Sequence, residues 1–241
     1  MAEYSQKNQN ISGFSVDFGN KFLSKVYMWM ILALILTSLA SYAILSTPSL
    51  QLFFLGNVWL VWILMIVELF VVVVLSSKIE SMSTSTAAAV FLLYSVLSGI
   101  TITPMLFYYS HATIFMAFGV SAGMFAAMSA VGYFIKKDLS TLGRFLFMAL
   151  MGLVIAMLVN ILISIWWPAT AWGFSFALSC LAVLIFAGLT AYDTQKIKKI
   201  GQAIAHEPSR GSNIAIICAL TLYLDFINLF VNMLRIMGRN N

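Results

Sequence analysis

Three acidic residues lie within or at the ends of long apolar stretches: Glu68 in LMIVELFVVVV, Asp193 in GLTAYDTQKI and Asp225 in LYLDFINLF. An ionised carboxylate in hydrocarbon costs several kcal/mol, so each must face other helices, find a partner or carry a proton. Asp225 is the most informative of the three. It lies 11 residues into an apolar stretch that begins near residue 214. At about 1.5 Å per residue that is about 17 Å deep, close to the middle of a bilayer. At about 100° per residue, Thr221, Asp225, Asn228, Asn232 and Arg235 fall within about 80° of one another. A helix with such a stripe is surrounded by protein or lines a wet cavity. From the residues alone, two uses stay open: a hydrogen-bond network that joins helices, or a path for ions or protons.

Asp193 closes its apolar stretch, where it serves as an interfacial residue at a helix end or as a functional acid. Glu68 sits near the middle of its own stretch. Arg235 and the Asn228 amide are candidate partners for it, and retention of a proton is the third route. The chain carries two cysteines, and both fall inside apolar stretches; Cys180 and Cys218 read as small buried hydrophobes, not a disulfide or redox pair.

The elements that must position these groups are membrane-spanning helices. Of the 241 residues, 62% are hydrophobic and 9% charged, whereas soluble domains carry roughly 25% charged residues. A bilayer core about 30 Å thick needs about 20 apolar residues per helix. Seven stretches meet that need: residues 26–45, 58–75, 86–104, 112–135, 142–165, 171–192 and 214–233. The fold class is therefore all-α and membrane-embedded, with a polar tail at 1–24, one transmembrane domain at 25–237 and a short tail at 238–241. No cleavable signal peptide is expected, since residues 1–24 are polar and the first stretch is long enough to span. Ser46-Thr47-Pro48 ends the first span, and Trp166-Trp167-Pro168 ends the fifth with an aromatic belt and a helix breaker.

The charges orient the chain. Eleven basic residues lie on one side: Lys7, Lys21, Lys25, Lys78, Lys136, Lys137, Arg144, Lys196, Lys198, Lys199 and Arg210. The other side has Arg235 and Arg239 in the carboxyl-terminal tail. The positive-inside rule predicts a cytoplasmic amino terminus and an external carboxyl terminus. The net charge of +5 thus points to anionic lipid headgroups, not to nucleic acid. In the fourth span, Gly119-Val-Ser-Ala-Gly123, with Ala126, Ala127 and Ala130, predicts close helix packing within the bundle.

AYDTQKIK at the end of the sixth span, followed by LTLYLDFINLFVNMLRI, resembles the signature of the Bax inhibitor-1 family, also called the transmembrane Bax inhibitor motif family. The resemblance covers about residues 20–237, and the polar tail and compact loops look more like its bacterial members than its animal ones. It implies a seven-helix fold in which the last helix is central and wrapped by the other six. It also implies a pH-sensitive calcium leak in a bacterial inner membrane, governed by two aspartates on the last two helices. Carried over by motif, these are Asp193 and Asp225. The resemblance extends to an acid in the second span, here Glu68, to a basic residue near the end of the last, here Arg235, and to a basic residue after the second span, Lys78. No cofactor is implied; Ca²⁺ is the permeant ion.

An aspartate pair suits such a role. Two carboxylates in low dielectric cannot both ionise cheaply, so they share a proton and titrate in coupled steps. A shared proton holds two helices together, and its loss brings repulsion. The same oxygens, with Asn228 or Asn232 carbonyls, are hard ligands suited to Ca²⁺. With the sixth span drawn to residue 192, however, Asp193 lies at the membrane edge, roughly a dozen Å from the depth of Asp225. Pairing then requires a tilted, shifted or later-starting sixth helix.

Rival chemistries fare worse. The histidines, His111 and His206, lie in or near loops, so no Ser–His dyad falls in a span. The seventh span has no lysine for a Schiff base, and no phosphate-binding loop or Cys/His metal cluster occurs. No inverted repeat or broken helix marks a transporter. The alternative of another class is a non-conducting regulatory protein that binds a membrane protease or stress-response complex. Its contact surfaces would be the tail at 1–24 and a basic loop at 193–213.

Overall fold

The structure is a computed structural model that describes residues 2–78, 81–166, 168–206 and 211–238. Trp167, Arg210 and Arg239, and the side chains of Lys7 and His206, lie outside the described residues. The described residues are helical throughout, apart from short connections: α1 (Ala2–Leu45), α2 (Pro48–Gly56), α3 (Val58–Lys78), α4 (Thr84–Leu106), α5 (His111–Phe134), α6 (Ser140–Trp166), α7 (Pro168–Ala203) and α8 (Gly211–Met237). Seven of these, all but α2, are long and apolar enough to cross a membrane. Their outward faces are apolar, as at Trp59, Ile66 and Phe70 on α3 and Phe145, Met148 and Ile155 on α6. Exposed apolar area on this scale has a bilayer as its solvent.

Helix ends follow local chemistry. Thr47 turns its hydroxyl back to the Ala43 carbonyl at 2.8 Å, and Pro48 opens α2, where its missing N–H costs nothing. Ser83 and Ser110 cap α4 and α5 by accepting the N–H groups of Thr86 and Thr113. α1 takes in residues 2–24, the stretch read from sequence as a polar tail.

The chain divides into two compact units. Unit 1 comprises residues 1–108 and 197–223, and unit 2 comprises residues 109–196 and 224–241. In unit 1, α1 lies along α4. Thr37 donates to the Ser95 carbonyl and Ser41 to the Gly99 carbonyl, both at 2.8 Å and one helical turn apart. Gly99 makes this approach possible, because a Cβ there would collide with the Thr37 carbonyl and with Ala40. Asn213 ties the first turn of α8 to the α3–α4 connection, donating to the Met82 carbonyl at 2.8 Å and accepting from Thr84 at 2.6 Å.

Unit 2 is built on α5, α6 and the parts of α7 and α8 that it contains. The buried face of α5 is Ala117, Ser121, Phe125, Ser129 and Gly132, a repeat of three to four residues. This corrects the expectation from Gly119 and Gly123. Those glycines have nothing within 4 Å of a built Cβ, and Ala126, Ala127 and Ala130 are exposed. Gly119 is two residues from Ala117, hence about 200° away around the helix, on its outer face. The close approach belongs to Gly132 instead.

Candidate functional site

α7 runs to Ala203, eleven residues beyond the expected end of the sixth span. That difference removes the depth problem. Asp193 now lies ten residues, about 15 Å, before the end of α7, and Asp225 fourteen residues, about 21 Å, after the start of α8. Both are interior to membrane-spanning helices. The reason is visible in the burial pattern. Asp193, Thr194, Gln195 and Ile197 are buried against protein, while Lys196 and Lys199 are exposed. The run that looked like a loop is an amphipathic helix with its polar residues turned inward. Most of the basic loop expected at 193–213 is accordingly helix.

Each residue of AYDTQ has a distinct contact. Ala191 presents its backbone to Gly132 on α5, where a Cβ would overlap its carbonyl. The Tyr192 ring covers Gly143 on α6, and the Lys196 ammonium stands 5.9 Å above the same ring. Thr194 meets Ser129 on α5 at 3.4 Å. Gln195 accepts the Leu139 N–H and donates to the Lys137 carbonyl, each at 2.9 Å, so it clamps the α5–α6 connection to α7. These contacts fix the height and rotation of α7 at Asp193.

On α8, Phe226 packs edge-on against Phe118 and Phe125 of α5, with ring centroids 5.5 and 5.6 Å apart. That sets the rotation of Asp225, one residue earlier. The two carboxyls lie close enough for each to act on the other's charge, and they are 8% and 5% exposed for Asp193 and Asp225 respectively. Two carboxyls can hydrogen-bond to each other only with a proton between them, one O–H donating to the other oxygen. Asp225 Oδ2 has no partner among the described residues.

The remaining predicted positions divide. The Asn228 amide donates to the Leu224 carbonyl and the Asn232 amide to the Asn228 carbonyl, both at 2.8 Å, so both serve their own helix. Asn232 lies seven residues from Asp225, about 10 Å along the axis, too far to share a cation with it at the usual 2.3–2.6 Å. Arg235 is exposed in the last turn of α8, where a cation offsets the helix dipole. Glu68 belongs to unit 1, where its carboxyl accepts the hydroxyl of Thr101 on α4 at 2.8 Å. Gly132, Ser129 and Gln195 escaped the sequence reading. Gln195 alone left a signal, as part of the polar run beside Asp193.

Residues 19–241 match the family described as Inhibitor of apoptosis-promoting Bax1. The chain is similar to the inner membrane protein YbhL of Escherichia coli (strain K12), at 44% identity over 219 residues, covering 90% of this chain and 91% of that protein. An uncharacterized protein of Deinococcus radiodurans is 39% identical over 223 residues, 92% of each chain. One from Borreliella burgdorferi is 34% identical over 239 residues, 99% of this chain and 98% of its own. None of these descriptions names an enzymatic activity. The matched region holds both aspartate motifs, the first apolar span from residue 19 and the other six whole: the chain is a multi-pass membrane protein that belongs to the Bax inhibitor-1 family, among its bacterial members.

Proposed function

We propose that the protein is a pH-sensitive calcium (cation) leak of the bacterial inner membrane, gated by the proton that Asp193 and Asp225 share. The observation that carries this reading is the juxtaposition of two buried carboxyls on membrane-spanning helices. With the proton in place, the pair is a latch between α7 and α8. Without it, two like charges face one another; at about 4 Å and an effective dielectric near 20 their repulsion is about 4 kcal/mol. The strain is relieved by separation of the helices or by entry of a cation.

Hard carboxylate oxygens favour Ca²⁺ over softer ions. Ca²⁺ takes about 6–8 oxygen ligands, and among the described residues no three His, Cys, Asp or Glu side chains cluster. A two-carboxylate site holds such an ion weakly, as suits a permeant ion and not a resident one. In this reading Asn228 and Asn232 continue the polar path along α8, Glu68 and Arg235 are supporting charges, the amino terminus is cytoplasmic, and the carboxyl terminus lies outside.

The test is Ca²⁺ flux into proteoliposomes across a pH series, for the unaltered protein and for Asp225→Asn. Flux should rise with pH as the shared proton leaves, and the variant should respond weakly to pH. Folded protein with no flux above empty liposomes would overturn the leak and favour the regulatory binding protein. Deletion of residues 1–16 separates the two further, since a leak survives it and a partner-binding surface on that segment does not.

A further inference from the structure

Among the described α-helices α2 alone is too short to span a membrane, and protein holds it at one point. It packs within unit 1 on α1, α3 and α4, yet of its nine residues only Phe54 is buried. Leu50, Leu52, Phe53 and Leu55 are exposed, Leu52 to 71%. At about 1.5 Å per residue α2 is about 14 Å long, less than half of a hydrocarbon core about 30 Å thick. A helix this short is not stable alone, and its bare leucines and phenylalanine need a cover.

The level of α2 follows from its neighbours. α1 carries Lys21 and Lys25 near one end of its span and finishes at Leu45, about 30 Å beyond Lys25. α2 therefore lies at the membrane face opposite those lysines. Tyr42 before it in the chain and Trp59 after it are exposed, the aromatic residues of a headgroup boundary. Residues 26–67 contain no Asp, Glu, Lys, Arg or His. The exposed face of α2 thus continues the lipid-facing surface of α3 with no charge to interrupt it.

The turn into α2 is built to do without water. A helix leaves its last four carbonyls without partners in the helix, and water often takes them. In α1 these belong to Tyr42, Ala43, Ile44 and Leu45, and the chain fills every one. The Ser46 and Thr47 N–H groups donate to the Tyr42 and Ile44 carbonyls at 2.9 and 3.2 Å. The Thr47 hydroxyl donates to the Ala43 carbonyl at 2.8 Å, and the Gln51 amide to the Leu45 carbonyl. At the other end of α2, the Asn57 amide donates to the Phe53 carbonyl and its backbone N–H to the Phe54 carbonyl. A chain reversal set among lipids has to satisfy its backbone in this way.

We propose that α2 is a lipid-binding element that lies in one leaflet only, the one opposite Lys21 and Lys25. Leu50, Leu52, Phe53 and Leu55 sit among phospholipid acyl chains just beneath the headgroups. The hold is apolar: α2 carries no cation, so it takes zwitterionic and anionic lipids alike.

Spin labels on the full chain in nanodiscs test this. Cys180→Ala and Cys218→Ala remove the native thiols, and single cysteines are placed by Leu52→Cys, Phe53→Cys, Phe70→Cys and Ser81→Cys. Phe70, exposed on α3, is the hydrocarbon reference, and Ser81, exposed between α3 and α4, the water reference. The ratio of oxygen collisions to nickel-chelate collisions at 52 and 53 should exceed that at 81 several-fold and approach that at 70. It should do so in phosphatidylcholine and in phosphatidylglycerol discs. A ratio equal to that at 81 would place α2 in water, and shielding from both reagents would place it under protein, as in contact with a second copy. Lipid contact confined to phosphatidylglycerol would make the hold electrostatic. Each of these results overturns the proposal. Where the labelled variants fail to fold, the unaltered chain is reconstituted with a phospholipid that carries a diazirine on its acyl chain. Photoadducts should then map to residues 50–55, and adducts on α3 with none on α2 would overturn the proposal.

Discussion

Gly132 on α5 lies against the backbone of Ala191 on α7, two residues before Asp193, so the height of the aspartate is set by a glycine on another helix. A methyl group at 132 would overlap the Ala191 carbonyl, and backbone cannot step aside as a side chain can. Gly132→Ala should cost about 1–3 kcal/mol by overpacking. Gly123→Ala, on the exposed face of the same helix, should be neutral or gain up to about 1 kcal/mol through reduced backbone entropy. Thermal unfolding of both variants in one detergent checks the contrast, and equal effects would contradict the assigned faces.

Gln195 bonds the α5–α6 connection at two points. Gln195→Ala leaves the buried Leu139 N–H without its acceptor, a loss of about 1–3 kcal/mol. Amide hydrogen exchange should accelerate at residues 137–139 before it changes elsewhere. Gln195→Glu retains the acceptor for Leu139 and should restore part of that protection.

The aspartate pair makes a pH prediction with a definite sign. In the proposed latch, a proton shared between Asp193 and Asp225 stabilises the α7–α8 contact where it is bound, so that stability is present at lower pH and is lost as pH rises through the titration of the pair. Asp193→Asn and Asp225→Asn each replace one ionisable partner by a neutral amide that still hydrogen-bonds. Each variant should unfold at a temperature that changes less with pH than the parent does. Parallel pH profiles for all three proteins would remove the latch.

On α1, two hydroxyls make similar bonds to α4 but differ in what depends on them. Ser41→Ala removes one hydrogen bond to Gly99, worth about 0.5–1.5 kcal/mol. Thr37→Val also strands the buried Tyr223 hydroxyl and should cost about 1–3 kcal/mol. Denaturation in mixed micelles ranks the two, and the reverse order would discount the Tyr223 contact.

All seven spans were legible in the sequence because an apolar run of about 20 residues has few other uses. The end of α7 was not. Hydropathy stops at the first polar cluster, and only partners such as Ser129 and Leu139 reveal that Thr194 and Gln195 are buried. The identity of the paired aspartates came from motif, while their common depth came from the added length of α7. α2 was missed because nine residues fall short of a span and Pro48 marks a stop as readily as a start. The glycine spacing at 119 and 123 was read on the wrong face, since small residues permit contact on any side without choosing one. Tyr223 was set aside from the polar stripe of α8; its partners come from α1 and α4, which no single-helix projection displays.

Asn228 and Asn232 bond carbonyls of their own helix, and this has a mechanical consequence. A helix whose side-chain amide N–H groups bond its own carbonyls carries those bonds along when it slides. Axial travel of the carboxyl-terminal half of α8 stretches none of them; it is resisted by the carboxyl pair and by the rings of Phe118 and Phe125 against Phe226. In the proposed latch, loss of the proton leaves the aromatic contacts to hold this half of α8, a greased bearing where there had been a catch.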